Sequence, residues 1–368
     1  MESTALYWKP VWETLERHWQ TVQRQQAEAC ASAGKLHLAQ AKSNCGPRGR
    51  KNDFGDAERL VKRLVARELR LSFVPEPEQR LWRTVSRKQH QLRRQRVRLQ
   101  NQLECLLEEG HIKLSSLVSD LLGVSGRRIL EALAQGESDP AALAALADAN
   151  LRATPEQLRE ALSASAELSA VYRRLLQMHL EELELVERQI QQLHKELAGL
   201  LEPHQQAVQR LAEVPGLGVD SAQQIIAEGG PTAAAFPSAK DLSSWVGACP
   251  GQEQSAEICR STRSPKGNRN LRRLLNQVAQ AAVKTKGSIF QSKFQHLRRG
   301  LQYQPAVWAI AHRLCRLIWK ILHQQVRYEE RGPAVSAKAP RRRTAKMIRE
   351  LRKLGYSVQP LSEMQVPA

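Results

Sequence analysis

Two stretches of the chain carry residue types able to act on phosphate. The first reads Asn52-Asp53-Phe54-Gly55-Asp56. Asn52 or Asp53 is placed to cap a helix whose apolar face is Leu60, Val61, Leu64 and Val65. Asp53 and Asp56 stand three residues apart with no basic residue between them, so a helix presents both carboxylates on one face. Two hard oxygen donors at that spacing suit Mg²⁺, which keeps several waters and bridges to substrate phosphates. The competing reading is two acids favoured by the dipole at a helix N-terminus. The second stretch contains Ser255, Arg260, Ser261, Arg263, Ser264, Lys266, Arg269, Arg272 and Arg273, with Glu257 its one acid from Gln254 on. Small residues and hydroxyls interleave the charges, where a plain solvated loop would need neither. Ser264-Pro265-Lys266-Gly267 reads as a turn, and Asn268 opens a helix with Leu271, Leu274, Leu275 and Val278 on one side. Guanidinium groups in such a loop pair bidentately with phosphodiester oxygens, so the predicted ligand is nucleic acid.

The elements that must position these groups are helical. Just upstream, Val214-Pro215-Gly216-Leu217-Gly218 separates two helical patterns. Gly216 and Gly218 permit a tight turn and close approach of the backbone to another surface. The following helix start favours a phosphate, with Asp220 or Ser221 as its cap. This is the pattern of a helix-hairpin-helix, which grips nucleic-acid backbone; an ordinary helical hairpin with a glycine turn fits the motif equally well. Pro75 and Pro77 mark a boundary, after which Glu78 to Glu109 forms a long helix with Leu81, Val85, Leu92, Leu99, Leu103 and Leu106 near heptad spacing. Its other face carries Arg80, Arg83, Arg87, Lys88, Arg93, Arg94, Arg96 and Arg98, a stripe suited to RNA or DNA phosphate. Asp139-Pro140 and Thr154-Pro155-Glu156-Gln157 open short helices, the second with capping-box spacing.

A second long helix runs to Leu201, with a seam through Tyr172, Leu176, His179, Leu183, Val186, Ile190, Leu193, Leu197 and Leu200. His179 lies on that seam as a packing residue rather than a ligand. The two long helices pair either within the chain or between subunits. Ala306 to Val326 is a last amphipathic helix in which Trp308 and Trp319 belong to the core. Beyond Gly332 the chain is basic again.

The 368 residues carry a net charge of +19, which calls for a polyanionic partner. A membrane surface is the rival, but no apolar run is long enough to span and no leader has a signal-peptide core. The 6 cysteines include no C-x-x-C pair, and no histidines sit at finger spacing, so zinc is not expected and reduced thiols in a cytoplasm fit best.

The segments VPGLG, IIAE, SAKDLSSWVGACPG and SPKGNR, in this order, resemble the C-terminal domain of the DEDD transposases of insertion sequence family one-hundred-and-ten. That family includes the Piv-type invertases and the bridge-RNA-guided recombinases, and the resemblance runs from Met1 to about Tyr328. It implies a RuvC-like domain with four carboxylates. Glu2 matches the second, and Asp53 and Asp56 the third and fourth. The first has no counterpart here, so the domain is expected to lack its first part, through a start codon placed too late or decay of the element. The resemblance makes Ser255 the nucleophile, although Ala256 stands where the family commonly has glycine; Ser261 and Ser264 are the alternatives. It implies Mg²⁺ held by Glu2, Asp53 and Asp56, DNA as substrate, a structured guide RNA, a homo-oligomer, and a cytoplasmic, nucleoid-associated protein.

The expected fold is therefore mostly α: a truncated RuvC-like α/β remnant at 1–75, a coiled-coil arm at 76–205, a transposase domain with the helix-hairpin-helix at 206–300, a C-terminal helix at 301–332 and a basic tail at 333–368. The expected activity is cleavage and strand exchange at insertion-sequence ends. A non-catalytic nucleic-acid-binding remnant and a RuvC-like nuclease for branched DNA are the alternatives.

Overall fold

Apolar residues recurring every three or four positions make most of this chain helical. The structure is a computed structural model that describes residues 8–26, 36–40, 43–44, 46, 52–148, 151–250, 253–255, 258–261, 264–330, 348–349 and 352. Two compact units emerge, Met1–Glu78 and Gln79–Ala368. No described helix is long and apolar enough to cross a membrane.

The first unit contains α1 (Trp8–Gln26) and α2 (Asp53–Val65). Where an α/β remnant was expected, the described residues hold one isolated antiparallel bridge, Ala39 to Leu71. Its polar centre is the fully buried Asn44. The Asn44 amide donates to the carbonyls of Gln40 and Arg70 and accepts from the Arg70 N–H. The apolar face read for α2 is not buried: Val61 is 59% and Val65 80% exposed.

The second unit is built on two long helices, α3 (Pro77–Glu109) and α7 (Ala170–Leu200). They pair antiparallel within the chain. Gln95 donates to Glu182, Arg96 donates to Glu187, and the Trp82 ring meets His204 edge-on beyond the end of α7. The seam of α3 keeps Val85, Leu92, Leu99 and Leu103 as expected and differs at its two ends. Trp82, Val85, Gln89, Leu92, Leu99, Leu103 and Leu107 are buried, and Leu81 faces out. The larger indole takes the inward position, and the polar Gln89 within the seam disguised the repeat. On α7 the expected seam holds, with Leu176, Leu183, Val186 and Leu197 buried. His179 bonds the carbonyl of Leu175 one turn back.

Two apolar cores share these helices. One joins the distal part of α3 and the first part of α7 to α4 (Val124–Gln135), α5 (Pro140–Ala145) and α6 (Pro155–Ala161). Asp139 caps α5, and Thr154 with Gln157 forms the expected capping box on α6. The other core gathers the start of α3 and the end of α7 with α8 (Gln205–Ala212), α9 (Val219–Gly229), α10 (Ala239–Val246), α11 (Arg269–Lys284), α12 (Ile289–Leu297) and α13 (Tyr303–Gln324). Helix α13, read as a separate element from sequence, thus lies inside this core. Trp308 and Trp319 pack against it, each with its indole N–H bonded. Between α10 and α11 projects a hairpin of β1 (Glu253–Ser255) and β2 (Ile258–Ser261).

The helical hairpin of α8 and α9 is present, but its two glycines have different duties. Gly216 has φ +85, and a Cβ there would lie 2.5 Å from the Ala282 nitrogen and 2.7 Å from the Val278 oxygen, both backbone atoms of α11. Its close approach is therefore to the chain's own helix. Gly218 starts α9 with open space around it, and neither Asp220 nor Ser221 supplies a side-chain cap. Gly216→Ala combines a disfavoured φ with a collision against backbone, and is expected to lower unfolding stability by at least about 2 kcal/mol. Gly218→Ala should stay within about 1 kcal/mol. Urea unfolding of the two variants checks the contrast.

Candidate nucleic-acid-processing site

The excursion that carries Ser255 is tied at both ends. It leaves α10 at Gly247, whose φ of +73 reverses the chain, and returns through Pro265 to Gly267. The two turns touch: a Cβ on Gly267 would lie 2.2 Å from the Val246 oxygen, and one on Gly247 2.4 Å from the Pro265 oxygen. The Asn268 N–H donates to the Trp245 carbonyl at 3.2 Å. Arg272 then bridges both sides, donating to the carbonyls of Gly247 and Pro265. Its guanidinium sits 4.7 Å from the ring centre of Trp308, whose indole N–H donates to Ser264 Oγ at 2.7 Å. From this root the strands run out antiparallel, with a register irregularity between Glu253 and Gln254. Ser255 is the last residue of β1, paired with Ile258 across the two-residue tip. The side chains of Ser255, Arg260 and Ser261 and all of Arg263 lie outside the described residues.

Arg272 was expected to hold phosphate. One of its nitrogens, Nη1, donates instead to the two backbone carbonyls, which gives it a positioning role for the hairpin. Arg273 is likewise engaged, bonding Gln277 and Gln224. Lys266 and Arg269 are exposed at the hairpin root. Asn268 opens α11 as read, its side chain accepting from the N–H groups of Asn270 and Leu271.

Beneath the root lies a residue that the sequence reading passed over. Glu228, at the end of α9, is 2% exposed. Arg87 donates to both its carboxylate oxygens at 2.8 and 2.9 Å. Asn268 and Asn270 add bonds at 2.8 and 3.0 Å. Arg83 binds the Glu228 backbone carbonyl and lies 3.6 Å from its carboxylate. Burial pushes the Glu228 carboxyl up, but the hydrogen bond and charge of Arg87 and the charge of Arg83 outweigh it, so it sits below its ordinary value. Arg83 is brought down to about 10, chiefly by burial, with Glu228 opposing. The group thus holds an ionised carboxylate. An acid within the apolar run Ile225-Ile226-Ala227-Glu228 was the available signal, since such an acid requires a partner.

The same bonds correct the reading of the α3 stripe. Arg83 and Arg87 serve Glu228, Arg93 makes a bidentate pair with Asp220, and Arg96 shares Glu187 with Arg127. Lys88, Arg94 and Arg98 remain exposed.

The carboxylates of α2 are placed as expected in its first turn, with Asn52 as the cap. Asp56 has a basic partner that the sequence reading missed: Arg59 Nη1 lies 2.5 Å from its Oδ1. Arg59 is itself held through Nε by the Asn44 carbonyl. Glu2 lies outside the described residues. Among the described residues no group of three acids, histidines or cysteines is placed to hold a metal ion. Asp53 and Asp56 alone, one of them neutralised, fall short of a metal site.

Residues 208–295 match the family described as "Transposase IS116/IS110/IS902 family". Residues 1–112 match a second description, "Transposase", of the DEDD IS110 type. A protein of Pseudomonas aeruginosa strain PAO1 named "Probable family 20 transposase" is 30% identical over 125 residues, which are 33% of this chain and 37% of that protein. The chain thus spans little more than a third of the curated relative it matches.

Glu228→Gln leaves Arg83 and Arg87 facing a neutral group, and the loss should be about 3 kcal/mol of unfolding stability. Because the native carboxyl is depressed, its contribution is present above the ordinary glutamate value of about 4.3 and is lost as pH falls through the lower native value. Denaturation curves across that window should show wild type losing more stability on acidification than the variant.

Proposed function

We propose that this chain, which belongs to the IS110-type transposases, cleaves and rejoins DNA strands at insertion-sequence ends through the hydroxyl of Ser255. The observation that carries the reading is the rooted hairpin. It sets Ser255 at the end of a short projection, with Lys266 and Arg269 exposed at the base, in the segment that the family description covers. A serine at that point of the backbone would meet a phosphodiester held against the cationic base. Attack forms an Oγ–phosphorus bond as the bond to one sugar oxygen breaks, and the serine proton ends on that released oxygen. The phosphoserine link keeps the bond energy for a second hydroxyl to rejoin the strand.

Glu2, Asp53 and Asp56 are the proposed ligands of a divalent ion, Mg²⁺, as in DEDD transposases. Glu2 would supply what the two aspartates lack, and Asp56 would exchange Arg59 for the ion. Bound there, the ion would neutralise charge growing on the phosphate. A structured RNA supplying sequence specificity by base pairing, a homo-oligomer bringing several serines to one junction, and a nucleoid location complete the reading.

A second reading is favoured by the Arg59–Asp56 pair: a chain that binds nucleic acid and cuts none. Covalent protein–DNA adducts separate the two. On substrate carrying element ends, Ser255→Ala and Asp53→Asn should each abolish adducts while duplex binding persists. Adducts at the wild-type level in Ser255→Ala would move the role to Ser261 or Ser264. No adducts with wild type, beside intact binding, would establish the second reading.

Binding itself should weaken at least about tenfold between roughly 50 and 200 mM salt, as counterion release requires. An affinity indifferent to salt would remove the phosphate contacts on which both readings rest.

A further inference from the structure

We propose that the trough between α12 and α13 is a binding site for a single strand of nucleic acid. Its phosphates would lie along Arg313, Arg316, Lys320 and Lys293, with a base against the apolar floor. The site rests on the nucleic-acid reading of the chain but not on Ser255.

The trough encloses about 690 Å³, open on one side. Arg313, Arg316 and Lys320 follow one another at i, i+3 and i+7 along α13, a single helical stripe. Lys293 faces them from α12, and Phe290, Leu317 and Tyr328 supply apolar surface between the charges. The cations crowd one another. Burial and then the charge of Arg313 push the Lys293 ammonium below its ordinary value. His312 is lowered by burial, then by Arg316 and Arg313. None of these four cations has an ion-pair partner among the described residues.

Nearby carboxylates are engaged elsewhere. Glu213 pairs with Arg327 on the rim, and Glu330 accepts from the Ile289 N–H and the Tyr328 hydroxyl. Glu329 also lines the trough, and it is the acid a ligand would have to pass. This contrasts with α3, where four arginines are matched to acids. Like charges held unmatched around a cavity lower stability, and a polyanion relieves that cost.

A duplex would offer phosphates but no exposed base for the floor. A single strand offers both, and a cationic groove with an apolar platform is how such strands are held. The chain's own continuation is a poor occupant, because residues 338 to 353 repeat the positive charge of the trough.

The test uses the full chain, with fluorescence anisotropy on labelled oligo-dT, oligo-U and a DNA duplex. Arg313 and Arg316 are exposed, so Arg313→Ala/Arg316→Ala should fold normally, which circular dichroism verifies. The double variant should lose at least about tenfold in single-strand affinity with duplex affinity changed less than about twofold. The Arg313→Lys/Arg316→Lys variant should keep most of it. The two oligonucleotides report whether DNA or RNA is preferred. A 5-iodouracil strand should crosslink to Tyr328.

Equal losses for duplex and strand, no loss, or competition by polyglutamate as effective as by oligo-dT would overturn the site. Wild type that binds duplex but no strand overturns this site alone. Wild type that binds neither overturns the parent reading with it.

Discussion

An ionised carboxylate held away from water needs every partner it has, and Glu228 is such a group. Its partners come from two distant places in the chain: Arg83 and Arg87 near the start of α3, and Asn268 and Asn270 at the start of α11. Because the carboxylate cannot be left unmatched, those segments cannot separate without exposing a charge in a dry interior. The hairpin root is assembled on top of this cluster: Asn268 bonds Glu228 with its side chain and Trp245 with its backbone. The position of Ser255 therefore depends on an electrostatic requirement satisfied one layer below it.

The arginines divide by what they face. Those of α3 that meet acids on α9 or α7 act as ties between helices, where the bidentate geometry of guanidinium is an advantage over lysine. Arg272 is a tie of another sort, joining two turns through carbonyl oxygens and the face of Trp308. Lys266 and Arg269, and the stripe on α13, are instead exposed. A net charge of +19 thus conceals two populations, and only one of them is available to a polyanion.

Local features were legible in the sequence. Capping by Asn52, Asp139, Thr154 and Asn268 depends on a few adjacent residues, and each cap formed where it was read. The α7 seam was plain because leucines dominate it. What failed to show was anything decided at long range. No spacing rule tells that Arg87 meets Glu228 rather than solvent, that Gly216 turns toward α11, or that Arg272 bends back onto Gly247. Arg59 was within reach of a local argument, three residues after Asp56, and a search for basic partners beyond the pair would have found it. The Leu81 seam misled because Trp82 and Gln89 do not look like heptad residues. At the candidate site, the sequence identified the segment and its charge, while the ties that root it became visible only in three dimensions.

The sequence distances spanned by those ties have a bearing on how the molecule is made. Arg87 and Glu228 are 141 residues apart, and Trp308 reaches back 44 residues to Ser264. Contacts of such separation close late, since the entropy of bringing distant segments together must be overcome before they form. Until α13 has left the ribosome, Ser255 is carried on a strand pair whose base lacks Trp308. The complete root thus arrives only with the last helix of the core, and a polypeptide interrupted before Trp308 would carry the serine without the finished support beneath it.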